Sequence, residues 1–135
     1  MAPLPRRGYA AHMSGCDYLI AVVDDEELVR RALTRLLRSA GLAVRPFASG
    51  REFLARRRDE PLDCLVLDLN MPGLNGLEVQ RRLRRLGDTL PVVFITAQDD
   101  PAIRGLCLEA GASACLCKPL DRQTLLEAIG RARRR

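Results

Sequence analysis

The chain has 135 residues, 47% hydrophobic and 29% charged, a balance that fits one core-bearing domain. No apolar run approaches the roughly 18 to 20 residues of a membrane span, and five cysteines without CxxC spacing argue against a disulfide framework. The net charge of +5 comes largely from arginine runs at 56–58, 81–82, 84–85 and 133–135; no aromatic interleaves with them as a nucleic-acid stacking surface requires, so they read as solvated helix faces.

Residues 1–17 lack an apolar segment after their arginines and read as a disordered extension rather than a signal peptide, with Met13 an alternative start. The lone His12 falls there and is no catalytic candidate, and the cytoplasm is the expected location. Residues 18–133 are expected to form the domain and 134–135 a short tail.

The run YLIAVV at 18–23 fits a strand buried on both faces, as parallel sheets produce, and it ends on Asp24-Asp25-Glu26-Glu27. Val29, Leu33, Leu36, Leu37 and Ala40 follow at helical spacing, with Gly41 as the stop. Residues 42–47 read as a less apolar edge strand. Ser49 is placed to cap a short helix containing Phe53 and Leu54, with Glu52 completing a capping box.

A third strand, Leu65-Val66-Leu67, ends on Asp68 and opens into a turn with Pro72, Gly73 and Gly76 as breakers. Its helix carries Val79, Leu83 and Leu86 as apolar positions. Residues 91–95 form a fourth strand ending in Thr96-Ala97, and Ile103, Leu106, Cys107 and Ala110 form one helical face closed by Gly111. Residues 112–117 are the fifth strand, running into Lys118-Pro119, and Asp121 can cap a last helix bearing Leu125, Ala128, Ile129 and Ala132. Cys115 and Cys117 are expected to point to opposite faces of that strand and to pack as small hydrophobes, not to share a metal. Five βα units in regular alternation predict an α/β fold, a parallel sheet covered by helices on both sides.

In an open α/β sheet the carboxyl ends of the strands gather on one rim. That rim would collect Asp24 and Asp25, Asp68, Thr96 and Lys118 from four different strands. Three carboxylates together repel unless a cation joins them, and Mg²⁺ with oxygen ligands is the natural partner. The lysine and the threonine hydroxyl complete a place for a phosphoryl group on a carboxylate oxygen. Each residue has a plain alternative, as a helix cap or a solvated charge, but all of them share the same end of their strands.

The pieces VVDDEELVR, LVLDLNMPGLNGLEV, VVFITA and CKPL, in that order, resemble the receiver domain of two-component response regulators over most of the chain. The resemblance implies the chemotaxis-regulator-like, flavodoxin-like (βα)5 doubly wound three-layer sandwich with strand order 2-1-3-4-5. It implies that Asp68 accepts phosphate from a histidine kinase or a phosphotransfer protein. Asp25, Asp68 and the main-chain carbonyl of Asn70 would bind Mg²⁺ directly, and Asp24 through water. Thr96 would bond the phosphoryl oxygen and Lys118 would pair with it. One departure stands out: the aromatic switch residue expected three positions before the lysine is Cys115, too small to act as the same lever.

Output would then pass through the surface of the fourth helix, fifth strand and fifth helix, to a downstream protein, a tethered output domain or a phosphorylation-dependent homodimer. No membrane and no direct nucleic-acid contact by this domain are expected. Two other readings are an aspartate-nucleophile phosphohydrolase and a phosphorylation-independent pseudo-receiver. The first expects an acid two residues after the nucleophile, where Asn70 stands. The second expects losses from the acidic set, which is whole.

Overall fold

The computed structural model describes residues 18–133; the expected extension at 1–17 and the tail at 134–135 lie outside the described residues. Strands β1 (Leu19–Val23), β2 (Ala43–Phe47), β3 (Cys64–Asp68), β4 (Val92–Thr96) and β5 (Ala114–Cys117) alternate with helices α1 (Glu27–Ser39), α2 (Gly50–Arg56), α3 (Gly76–Arg85), α4 (Pro101–Glu109) and α5 (Arg122–Arg133). A 3₁₀ turn at Arg57–Asp59 follows α2. All strand pairs are parallel, in the order β2-β1-β3-β4-β5. The doubly wound sandwich is therefore as expected, and residues 42–47 do form an edge.

The continuous apolar runs make sense of this topology. Every residue of β1, β3 and β4 is buried, because helices cover both faces of the sheet. One face packs Val23, Phe53, Leu65, Leu67, Val79, Leu83 and Phe94 beneath α2, α3 and α4. The other packs Ile20, Val22, Leu33, Leu37, Val66, Ile95, Leu125 and Ile129 beneath α1 and α5. Alternation along a strand divides its side chains between the two cores. The polar residues that end β1, β3 and β4 consequently lie along one edge.

Several local expectations are corrected. Leu86 is the C-terminal cap of α3 and is 74% exposed, because the helix closes one residue earlier and turns it outward. Leu106 on α4 is 48% exposed, and Cys107 is the fully buried member of that face. Gly76 is no breaker but the first residue of α3. A Cβ there would stand 2.5 Å from the Asp68 carbonyl oxygen and 3.1 Å from Phe94, so the helix can approach β3 only with glycine.

Ser49 caps α2 by accepting from the Glu52 N–H at 3.0 Å, but Glu52 bonds the Ala48 N–H and not that of Ser49. The reciprocal capping box is instead on α3, between Asn75 and Glu78. Cys115 and Cys117 are two residues apart on a strand and so share a face, contrary to expectation. Cys115 packs on the α2–α4 side, against the core containing Cys107.

Candidate functional site

Where β1 ends, the chain delivers Asp24, fully buried, and Asp25, exposed. One strand away β3 delivers Asp68, 2% exposed. Oxygens from all three carboxylates lie within 4.8 Å of one another. Register explains the meeting: Val23 pairs with Leu67, so the residues following each share one level of the sheet.

Lys118, the chain's single lysine, closes the cluster from the end of β5. Its Nζ is 3.4 Å from Asp24 Oδ2 and 3.6 Å from Asp68 Oδ1. The peptide bond between Lys118 and Pro119 is cis, and Lys118 N–H donates to the Thr96 carbonyl at 2.7 Å. Burial disfavours the lysine's charge, but Asp68, Asp24 and Glu26 outweigh it and raise its pKa. Burial pushes the Asp68 carboxyl up to about 6, with Asp24 and Asp25 adding repulsion, while Lys118 and the Asn70 N–H partly offset the rise.

Thr96 ends β4 and is 3% exposed. Its Oγ1 donates to Asn70 Oδ1 at 3.4 Å and accepts from the Gln98 N–H at 3.1 Å. Asn70 N–H donates to Asp68 Oδ1 at 3.4 Å, so the loop after β3 folds back over its own carboxylate. Every rim residue singled out from the sequence thus reaches one site. Cys115 does not: it lies two residues before Cys117, the strand partner of Thr96, on the sheet's α4 side, opposite Phe94 and against Cys107. Burial first, and then the Cys115 thiol, push Cys107 up to about 12.

Two contributors were not read from the sequence. Glu26 places Oε1 3.7 Å from Lys118 Nζ, so the lysine is shared among three acids. Arg30 reaches back from α1 and donates to the Asp24 carbonyl at 2.7 Å. The acidic run 24–27 held the signal for Glu26, but its fourfold charge made no single member stand out. The helical spacing of Arg30 from Glu26 was the available hint for the second, since Arg30 N–H bonds the Glu26 carbonyl.

The donor set is all oxygen, which suits a hard divalent cation. Asp24 Oδ1 accepts from the Glu26 N–H at 2.9 Å, but Oδ2 is buried with no directional hydrogen bond, facing only the charge of Lys118. Asp25 is exposed and makes no hydrogen bond or ion pair among the described residues. A buried carboxylate oxygen without a hydrogen bond, beside two further carboxylates, is what a cation site looks like when judged from its protein ligands alone.

Comparison with known proteins agrees with this geometry. Residues 20–130 match the family model described as "Response regulator receiver domain". Nodulation protein W of Bradyrhizobium diazoefficiens is 40% identical over 124 residues, covering 91% of this chain and 55% of the relative. The solved structure titled "Crystal structure of FixJ-N" superposes with a TM-score of 0.83 at 37% identity, covering 87% of this chain and 94% of that one. The chemotaxis protein CheY4 of Vibrio cholerae superposes at 0.80 with 29% identity, covering 86% and 98%. The chain spans about half the length of the curated relatives it matches. With its sheet order, its rim of acids and the family match over most of its length, the chain belongs to the receiver domains of two-component response regulators.

Proposed function

We propose that Asp68 is the phosphoacceptor of this receiver and that the domain acts as a phosphorylation-controlled switch. The observation that carries the reading is Asp68 itself. It is a buried carboxylate at a strand end, 3.6 Å from a lysine and grouped with two further acids. An Asp68 oxygen attacks the phosphorus of a phosphohistidine or acyl phosphate. The new O–P bond forms as the donor's P–N or P–O bond breaks, and the imidazole or carboxylate departs with the bonding pair. Ionised Asp68 is the nucleophile.

Asp25, Asp68 and the Asn70 carbonyl would hold Mg²⁺, with Asp24 acting through water. The bound ion would supply charge neutralisation for the transferring phosphoryl oxygens. Lys118 then trades its contacts with Asp24 and Glu26 for the phosphoryl group, and the Thr96 hydroxyl donates to it. Asn70 offers no proton for a leaving group, and its Oδ1 already accepts from Thr96. That favours a long-lived aspartyl phosphate over turnover of external phosphate esters.

The donor would be a histidine kinase or phosphotransfer protein, and the target a downstream protein or tethered output domain. The output surface would be α4–β5–α5, with Thr96 the moving part and Cys115 a weak lever beside it. Among the described residues no helix is long and apolar enough to cross a membrane. Incubation with acetyl phosphate and Mg²⁺ tests the proposal. Base- and hydroxylamine-labile phosphate should appear on the parent and be absent from Asp68→Asn; an unlabelled parent would overturn it.

A further inference from the structure

The arginines of α3 take no part in the site just described, yet they are not spread evenly. Arg81, Arg84 and Arg85 line one groove of 530 Å³ between α3 and α4, with Leu106, Glu109 and Ala110 opposite. Arg81 and Arg85 are exposed and form no ion pair among the described residues. Three guanidinium groups therefore face one carboxylate.

The groove is held in shape. Gln80, fully buried, donates to the Ala110 carbonyl at 2.8 Å and ties α3 to the end of α4. Arg84 donates to the carbonyls of Asp88 at 2.9 Å and Gly111 at 3.4 Å, so its guanidinium is fixed where it stands. A preformed surface avoids part of the ordering cost of binding.

The groove also continues. Leu106 is shared with a second cleft of 460 Å³ further up the same seam, walled by Leu77, Ile103 and Met71 and reaching Asn70 at the phosphorylation rim. Basic and apolar halves thus meet at one half-exposed leucine. Nucleic acid would use the arginines but has no use for the apolar half, and no aromatic is present to stack on a base. An acidic polypeptide bearing large apolar side chains matches both halves.

We propose that the α3–α4 seam is a docking surface for an acidic, leucine-bearing segment of a partner protein. Its carboxylates pair with Arg81 and Arg85, and an apolar side chain enters the cleft beside Leu106 and Ile103. This surface is distinct from the α4–β5–α5 output face, and docking on it requires no phosphate on Asp68. Through Asn70, an occupant would touch the loop that overlies the acceptor carboxylate.

The test uses the full chain and three fluorescent probes: a helical peptide with glutamates on one face and leucines on the other, the same peptide with glutamine for every glutamate, and a mixed-sequence DNA duplex. Anisotropy titrations should give saturable binding of the acidic peptide, weakened by added salt. The glutamine peptide should bind at least about tenfold more weakly, as should the acidic peptide to the Arg81→Glu/Arg85→Glu variant. Leu106→Ala should cost a further few-fold. Circular dichroism and acetyl phosphate labelling of Asp68 verify that each variant is folded, and Arg81→Gln/Arg85→Gln replaces the reversal if it is not. Failure of the acidic peptide to bind, equal binding of the glutamine peptide, indifference to the arginine changes or tighter binding of the duplex would each overturn the proposal.

Discussion

Strand β3, which carries Asp68, and strand β5, which carries Cys115, lie two places apart in one parallel sheet. Every β3 residue is buried, whereas every β5 residue is only partly so. The neighbouring helices repeat the contrast. α3 buries Gly76, Val79, Gln80 and Leu83 and starts on a reciprocal capping box; α4 buries Cys107 alone and leaves Leu106 and Leu108 about half exposed. The proposed acceptor is thus set on a fully buried strand, and the surface that would report on it on a partly buried one. A carboxylate that must meet two others and a lysine needs fixed geometry. A surface that changes shape on signal is drawn from elements of low local stability.

Core truncation should expose the contrast most strongly. Leu67→Ala, at a fully buried position on β3, should cost about 2 to 5 kcal/mol. Leu116→Ala on β5 removes a partly buried side chain and should cost about half as much or less. Urea unfolding of both variants measures the difference, and equal losses would remove the distinction between the two regions.

Two glycines sharpen it next. Gly76→Ala drives a Cβ into the Asp68 carbonyl and should destabilise by about 1 to 3 kcal/mol while slowing acetyl phosphate labelling. Gly105→Ala in α4 meets nothing within 4 Å and should stabilise by about 0.5 to 1 kcal/mol. The same chemical change is expected to have opposite signs on neighbouring helices.

The pH dependence follows from the raised Asp68 pKa. The folded chain holds that proton more tightly than the unfolded chain, whose carboxyl titrates near 3.8, against about 6 when folded. Without divalent cation, the Asp68 contribution favours the fold below pH 4 and is lost as pH rises toward 6. Asp68→Asn should flatten that window and raise stability at pH 7, and saturating Mg²⁺ should do the same for the parent. The smallest effect is expected at Cys115. Cys115→Ala should cost about 1 kcal/mol or less and leave labelling unchanged.

The sequence was most legible where a single force decides. Strands buried on both faces must be continuously apolar, so the runs at 18–23, 65–67 and 91–95 gave β1, β3 and β4 to within a residue or so at either end. Because parallel strands share one direction, their terminal polar residues had to meet, and Asp24, Asp68, Thr96 and Lys118 do. Legibility failed where two elements compete for one residue. Leu86 fits the α3 periodicity but falls where the helix caps and turns out. Gly76 looked like a breaker because glycine usually is one, and the need for close approach to Asp68 is set by tertiary distance. Glu26 and Arg30 act on the site from a helix start whose direction no periodicity fixes.

The central claim is that Asp68, the carboxylate that ends β3, is the one that takes phosphate. Borohydride reduction of the acetyl phosphate-treated chain converts an aspartyl phosphate to homoserine, which peptide mass spectrometry locates. Conversion at Asp68 alone, dependent on Mg²⁺, is the predicted result; conversion at Asp24 or Asp25, or none at all, would contradict it.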